Sequence, residues 1–151
     1  MTQLRRSAPS ASAQALGYGG LFPFVGLASV VCLWQTHHAA AANALLAYGA
    51  VIASFLGAIH WGLTMGDAKG QSTSMLLWGV VPSLLAWLAF LLPVAFGLSL
   101  LAALLWCCFA VDRITYTRFG LRAWLPKRLL LTAVASLSCL VSAARMLGVA
   151  L

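Results

Sequence analysis

At 151 residues the chain has room for one compact domain, but with 63% apolar and only 7% charged residues it cannot cover the surface of a soluble one. Ordinary globular domains carry roughly 25% charged residues. The solvent is therefore lipid, and with no water to satisfy open backbone the chain must cross it as helices. The net charge of +7 does not point to nucleic acid: the basic residues lie between apolar segments, and no basic patch carries the interleaved aromatics that stack bases.

Residues 1–14, rich in Ser and Ala, are expected to form a disordered cytoplasmic tail, followed by one transmembrane domain over 15–151. Windows of about 19 residues predict five spans in that domain. The first covers 15–35, "ALGYGGLFPFVGLASVVCLWQ". It is longer than the apolar core of a signal peptide and contains Pro23 and several glycines, so it is read as a helix that stays. The second covers 40–63 and the third 74–93, with hydroxyls in "QSTS" at 71–74 available to cap the third. The fourth covers 97–113, and Pro93 and Gly97 are expected to bracket a tight turn that pairs spans three and four as an antiparallel hairpin. The fifth covers 128–148. The fold class is all-α: a polytopic membrane helical bundle of five transmembrane helices, N-in/C-out.

Orientation follows from the basic residues. Arg5, Arg6, Lys69, Arg113, Arg118, Arg122, Lys127 and Arg128 fall on one side of the five spans, and Arg145 alone on the other. An excess of Lys and Arg marks the cytoplasmic side.

Few residues carry reactive chemistry. Cys107 and Cys108 are adjacent, about 100° apart on a helix, and so badly placed to hold one metal. Together with Cys32 and Cys139 they read as small apolar residues. No CxxC or HxxxH spacing occurs, and "HH" at 37–38 reads as a polar loop, so neither a metal site nor a cofactor is expected. Trp34 marks one membrane interface and Trp61, Trp78 and Trp124 the other. Trp87 and Trp106 lie deeper, where lipid-facing or core packing outweighs a role in lining a pocket.

Gly49, Ala53 and Gly57 recur every four residues on span two, a stripe on which another helix can approach closely. His60 and Trp61 follow Gly57 at three and four residues and continue that face toward the bundle interior. Asp112 closes span four, where the helix dipole disfavours an anion, so it needs a partner. Spans two and four run in the same direction, which brings His60 and Asp112 to similar depth. A His60–Asp112 contact with Arg113 or Arg118 nearby is one reading. A solvated aspartate in a basic loop, with the histidine at the headgroups, is the other. The candidate ligand- or partner-binding residues are His60, Trp61, Asp112 and Arg113; no catalytic residue is assigned.

The stretches "LGYGGLFPFVGLA", "YGAVIASFLGAIHWGL" and the block from Asp112 through "LPKRLLLTAVASL" resemble an uncharacterised bacterial inner-membrane family, a domain-of-unknown-function group with a mitochondrial transmembrane relative in animals. The resemblance covers 15–145. Gly57, His60, Trp61 and Gly62 match its central motif, and Asp112 its acid after the fourth helix. The family carries aromatics after the proline at 126, where this chain has Lys127 and Arg128. The resemblance implies fold and location, in an energy-transducing inner membrane, and no activity. In size and helix count the chain is also similar to the tryptophan-rich translocator proteins, whose motifs it lacks.

Three functions are in competition. The first is a non-enzymatic inner-membrane bundle that binds a partner protein or a small apolar ligand, in the setting of respiratory-complex biogenesis. The second is a small transporter or proton-coupled carrier, against which stand the lack of a midplane acid and of an internal repeat. The third is a membrane enzyme, against which stands the lack of a nucleophile–base pairing or carboxylate dyad. The expected partners are the lipid bilayer and a membrane protein or second copy of the chain, not nucleic acid. Reporter fusions after residues 67, 95, 120 and 151 are expected to read in, out, in, out; a C-terminal fusion active in the cytoplasm would overturn the five-span orientation.

Overall fold

The computed structural model describes residues 10–66 and 72–150. Among these residues five helical stretches are long and apolar enough to cross a membrane: Ala11–Leu33, His38–Met65, Thr73–Phe90, Val94–Arg118 and Arg122–Gly148. The first is divided into α1 (Ala11–Gly19) and α2 (Leu21–Leu33), followed by α3 (His38–Met65), α4 (Thr73–Phe90), α5 (Val94–Arg118) and α6 (Leu125–Ala150). The division at Gly20 follows from Pro23, which has no N–H for the Gly19 carbonyl and whose ring crowds it. Across the break the Tyr48 hydroxyl of α3 donates to the Gly20 carbonyl at 2.9 Å.

Helix α3 is the centre of the bundle and packs against α2, α4, α5 and α6. Its own Leu45 and Leu46 are fully buried, as are Phe24 of α2 and Leu98, Leu101 and Leu105 of α5. The small-residue stripe serves two neighbours in turn. A Cβ at Gly49 would collide with Leu101 of α5, and one at Gly57 with the Gly79 carbonyl of α4. Ala53, between them, is completely buried. Trp61 occupies the space that a Gly79 side chain would need, and its indole N–H donates to the Leu76 carbonyl at 2.8 Å, tying α3 to the first turn of α4. Trp87 and Trp106 are 59% and 42% exposed and face outward, as does a broad surface of Leu, Val and Phe suited to lipid. All four cysteines are free thiols, with Cys108 and Cys139 buried among apolar neighbours.

Several boundaries differ from the hydropathy reading. Ala11–Gln14 are helical, with the Ser10 hydroxyl accepting from the Ala13 N–H at 3.2 Å; residues 1–9 of the expected tail lie outside the described residues. Ser72 occupies the cap position of α4, but its hydroxyl meets that of Ser74 at 3.0 Å and not a backbone N–H; Gln71 lies outside the described residues. The turn between α4 and α5 is residues 91–93, and Gly97 lies inside α5. Its missing Cβ makes room for the Ala89 carbonyl. Most importantly, α5 does not end at 113. It continues through "ITYTR" as an amphipathic turn with Thr115 and Tyr116 buried and Ile114 and Arg118 exposed. Gly120, at φ 73°, then closes it: the Leu121 N–H reaches the Tyr116 carbonyl at 2.7 Å and the Gly120 N–H that of Thr117 at 3.4 Å. This pair of bonds is a Schellman motif, and it requires the left-handed conformation that glycine adopts freely. Pro126, in the first turn of α6, sits where its missing N–H would have no helical partner.

Gly57→Ala is expected to destabilise the protein by about 1–3 kcal/mol, because the added methyl meets backbone, which has no alternative rotamer. Gly62→Ala, with no described residue within 4 Å of the new methyl, is expected to leave stability unchanged or to raise it by up to about 1 kcal/mol. Thermal unfolding in mild detergent compares the two, and indistinguishable midpoints would refute the close α3–α4 approach.

Candidate functional site

Three ionisable side chains from three helices meet in one layer. His60 lies five residues before the end of α3 at Met65, Asp112 six before the end of α5 at Arg118, and Arg128 three after the start of α6 at Leu125. At 1.5 Å per residue all three stand about 5 to 9 Å inside the same end of the bundle. His60 and Asp112 are each 1% exposed and Arg128 is 8% exposed.

Arg128 is the partner of Asp112. Its Nε donates to Oδ2 at 2.8 Å and its Nη2 to the same oxygen at 2.5 Å. Oδ1 is left facing His60, whose Nε2 stands 3.6 Å away. The other ring nitrogen, Nδ1, lies 3.2 Å from the Leu56 carbonyl. A carbonyl only accepts, so Nδ1 carries the hydrogen of that bond. Nε2 has no hydrogen-bond partner among the described residues. Thr64, one turn further along α3, bonds the His60 carbonyl at 2.8 Å and is itself buried. The Tyr116 hydroxyl neighbours the Arg128 guanidinium from α5. The layer can hold charge and position a proton. Among the described residues no three His, Cys, Asp or Glu side chains cluster as metal ligands.

Beside this layer opens a crevice of about 510 Å³ between α1, α3 and α6. It exists because α1, which has no buried residue, stands off the rest of the bundle. Its walls are Leu16 and Gly17 of α1, Phe55, Leu56 and Ile59 of α3, and Leu131 of α6. Its polar end is formed by Tyr116, Trp124, Lys127 and Arg128. A second cavity of about 160 Å³ adjoins it, shares Leu16, Leu56, Arg128 and Leu131 with it, and extends to Phe24, Leu105 and Thr132. The Thr132 hydroxyl is buried without a hydrogen-bond partner among the described residues. Arg128 thus belongs to the ion-pair layer and to both cavities.

The family model "Protein of unknown function (DUF3429)" matches residues 9–144, nearly the whole described chain. The chain belongs to that family. It is also similar to Transmembrane protein 69 of Xenopus tropicalis, 38% identical over 78 residues, a stretch that is 50% of this chain and 31% of that relative. The matched part therefore spans about a third of the relative's length. No solved structure matches.

Within this family member the residues singled out in the sequence are divided. His60 and Asp112 are brought together, both buried. Trp61 points away from them to Gly79 and Leu76 of α4. Arg113 is exposed and takes no part in the layer. Arg118 is also exposed and lies 5.9 Å over the Phe119 ring. The dipole argument for Asp112 fails, because the helix end lies six residues further on at Arg118. What Asp112 requires is a counter-charge for a buried anion, and Arg128 provides it. Sequence reasoning missed Arg128 by counting it among the basic residues that set orientation. A signal was present: Arg128, Thr132, Ala135 and Cys139 fall at helical spacing, and all four are buried.

Removing one member of the pair leaves a buried charge unmatched. Asp112→Asn and Arg128→Met are each expected to destabilise the protein by about 3–5 kcal/mol. The double variant is expected to lose clearly less than the sum of the two. Unfolding titrations of the four proteins measure this, and strictly additive losses would mean that the pair is not coupled.

Proposed function

We propose that this protein is a non-enzymatic multi-pass bundle of the bacterial inner membrane, oriented N-in/C-out, that binds a small apolar ligand in the crevice between α1, α3 and α6. The observation that carries this reading is the crevice itself. Its volume of about 510 Å³ falls within the ~300–1,000 Å³ of small-molecule sites, which are mostly apolar with a few convergent polar groups. The orientation is supported by Arg113, Arg118, Arg122, Lys127 and Arg128, all at one end of the described helices, against Arg145 near the other. The buried ion-pair layer favours one second reading, a proton-coupled carrier, since ionisable groups inside membrane proteins often mark proton or substrate paths.

The test is labelling in nanodiscs with a neutral long-chain alcohol bearing a photoactivatable diazirine. Leu131 and Phe55 are expected to be labelled well above Leu84, which is 55% exposed on the outer surface. Gly17→Leu, which fills the crevice from α1, is expected to reduce that labelling about tenfold, the effect of roughly 1.4 kcal/mol. Equal labelling of Leu131 and Leu84, unaffected by Gly17→Leu, would remove the reading. In vesicles with an imposed pH gradient, accumulation of the same alcohol would replace the binding bundle by the carrier.

A further inference from the structure

We propose that the ligand of this crevice is a single-chain amphiphile with an anionic head, a long-chain carboxylate, whose head is held by Lys127 and Arg128. The inference rests on the crevice being a ligand site and specifies the chemistry of what enters it. Asp112 is the sole acid among the described residues, and it is already taken by Arg128. Lys127 lines the polar end of the crevice, half-buried, with no carboxylate partner among those residues. A lysine drawn partly out of water beside an apolar cavity is stabilised by an anion brought to it. Arg128 has five N–H donors and gives two of them to Asp112, so others remain for a head group at the cavity it lines. The buried Thr132 hydroxyl, without a partner among the described residues, lies one helical turn deeper in the adjoining cavity, a further polar group with capacity to bond.

The shape restricts the apolar part to one chain. A Cβ placed on Gly17 would stand 3.7 Å from the Leu131 methyl, ordinary contact distance, so α1 and α6 nearly touch across the crevice at that point. At about 510 Å³ the crevice has the size of a site for one small molecule, which suits one acyl chain and not two side by side.

The experiment uses the full chain in nanodiscs of zwitterionic phosphatidylcholine. Two diazirine probes of identical chain are compared, one ending in a carboxylate and one in an alcohol, with labelled residues mapped by mass spectrometry. The carboxylate is expected to half-saturate crevice labelling at about one-tenth the concentration of the alcohol, as charge-assisted hydrogen bonds require. Lys127→Ala is expected to raise the carboxylate's half-saturation about tenfold, and Lys127→Arg to restore it, with folding of each variant checked by size-exclusion elution. Equal half-saturation by the two probes would overturn the anionic head while leaving the crevice as an apolar site. Failure of both probes to label the crevice would overturn the site itself. Displacement of the carboxylate by phosphatidylglycerol in the nanodisc would assign the site to a two-chain lipid and overturn the single-chain ligand.

Discussion

A carboxylate buried within a membrane bundle has to be neutralised where it stands, because the several kcal/mol of lost hydration are not recovered from distant charges. In this protein Arg128 neutralises Asp112, and the local architecture follows from bringing the two together. They are 16 residues apart on antiparallel helices, so α5 must stop, reverse and re-enter within a short stretch. The left-handed Gly120 stops it. A short turn over Arg122–Trp124 reverses it, and Pro126 restarts the helix where a missing N–H does no harm. With Arg128 only three residues into α6, the hairpin could be little longer without withdrawing the guanidinium from the carboxylate.

The third member of the layer arrives by a different route. His60 is carried inward by α3, and α3 occupies the centre only because it is thin on the faces that meet its neighbours. At Gly57 the backbone of α3 touches that of α4, and at Gly49 it yields to Leu101 of α5. Between bilayer-facing helices there is no hydrophobic effect to draw the segments together, so such close approach, through dispersion contacts, does that work. A Cβ at Gly57 would meet the Gly79 backbone and force α3 and α4 apart, disturbing the helix that holds His60 Nε2 3.6 Å from Oδ1, whereas one at Gly49 would collide only with the Leu101 side chain. Helix packing and the polar layer are in this sense one construction.

This explains what could be read from the sequence. The five spans, the inward face of the Gly49–Ala53–Gly57 stripe and the shared depth of His60 and Asp112 depend on hydropathy and helical period, which are local quantities. The partner of Asp112 depends on which helices are neighbours, and a hydropathy window carries no such information. It also cut α5 short, because Thr115, Thr117 and Arg118 lower the average even though the helix continues with one face buried. That error placed the acid at a helix terminus and made the dipole appear to be its difficulty. Lys127 and Arg128 looked alike as neighbouring basic residues. A 100° step along α6 separates their fates: both reach the crevice, but Arg128 is also turned to the buried polar face, while Lys127 stays half-buried at the polar end. The crevice had no signature at all, since it arises from α1 standing away from the bundle.

The double membership of Arg128 has a thermodynamic consequence. Its guanidinium both neutralises Asp112 and borders the two cavities, and Leu56, whose carbonyl receives the His60 Nδ1–H, lines both as well. Whatever occupies the crevice therefore touches the two residues that hold the ion-pair layer in place. A group that bonded the remaining N–H donors of Arg128 would share the charge that neutralises Asp112, and so change how firmly the guanidinium holds Oδ2. By linkage, any preference of the layer for one arrangement is returned as an equal preference in what binds the crevice. Burying a salt bridge is rarely the cheapest route to stability, and apolar residues of similar volume often do as well. If the crevice is the ligand site proposed above, an ion pair that also forms its wall is retained for a different reason, because an apolar replacement would fill the same volume without answering to the ligand.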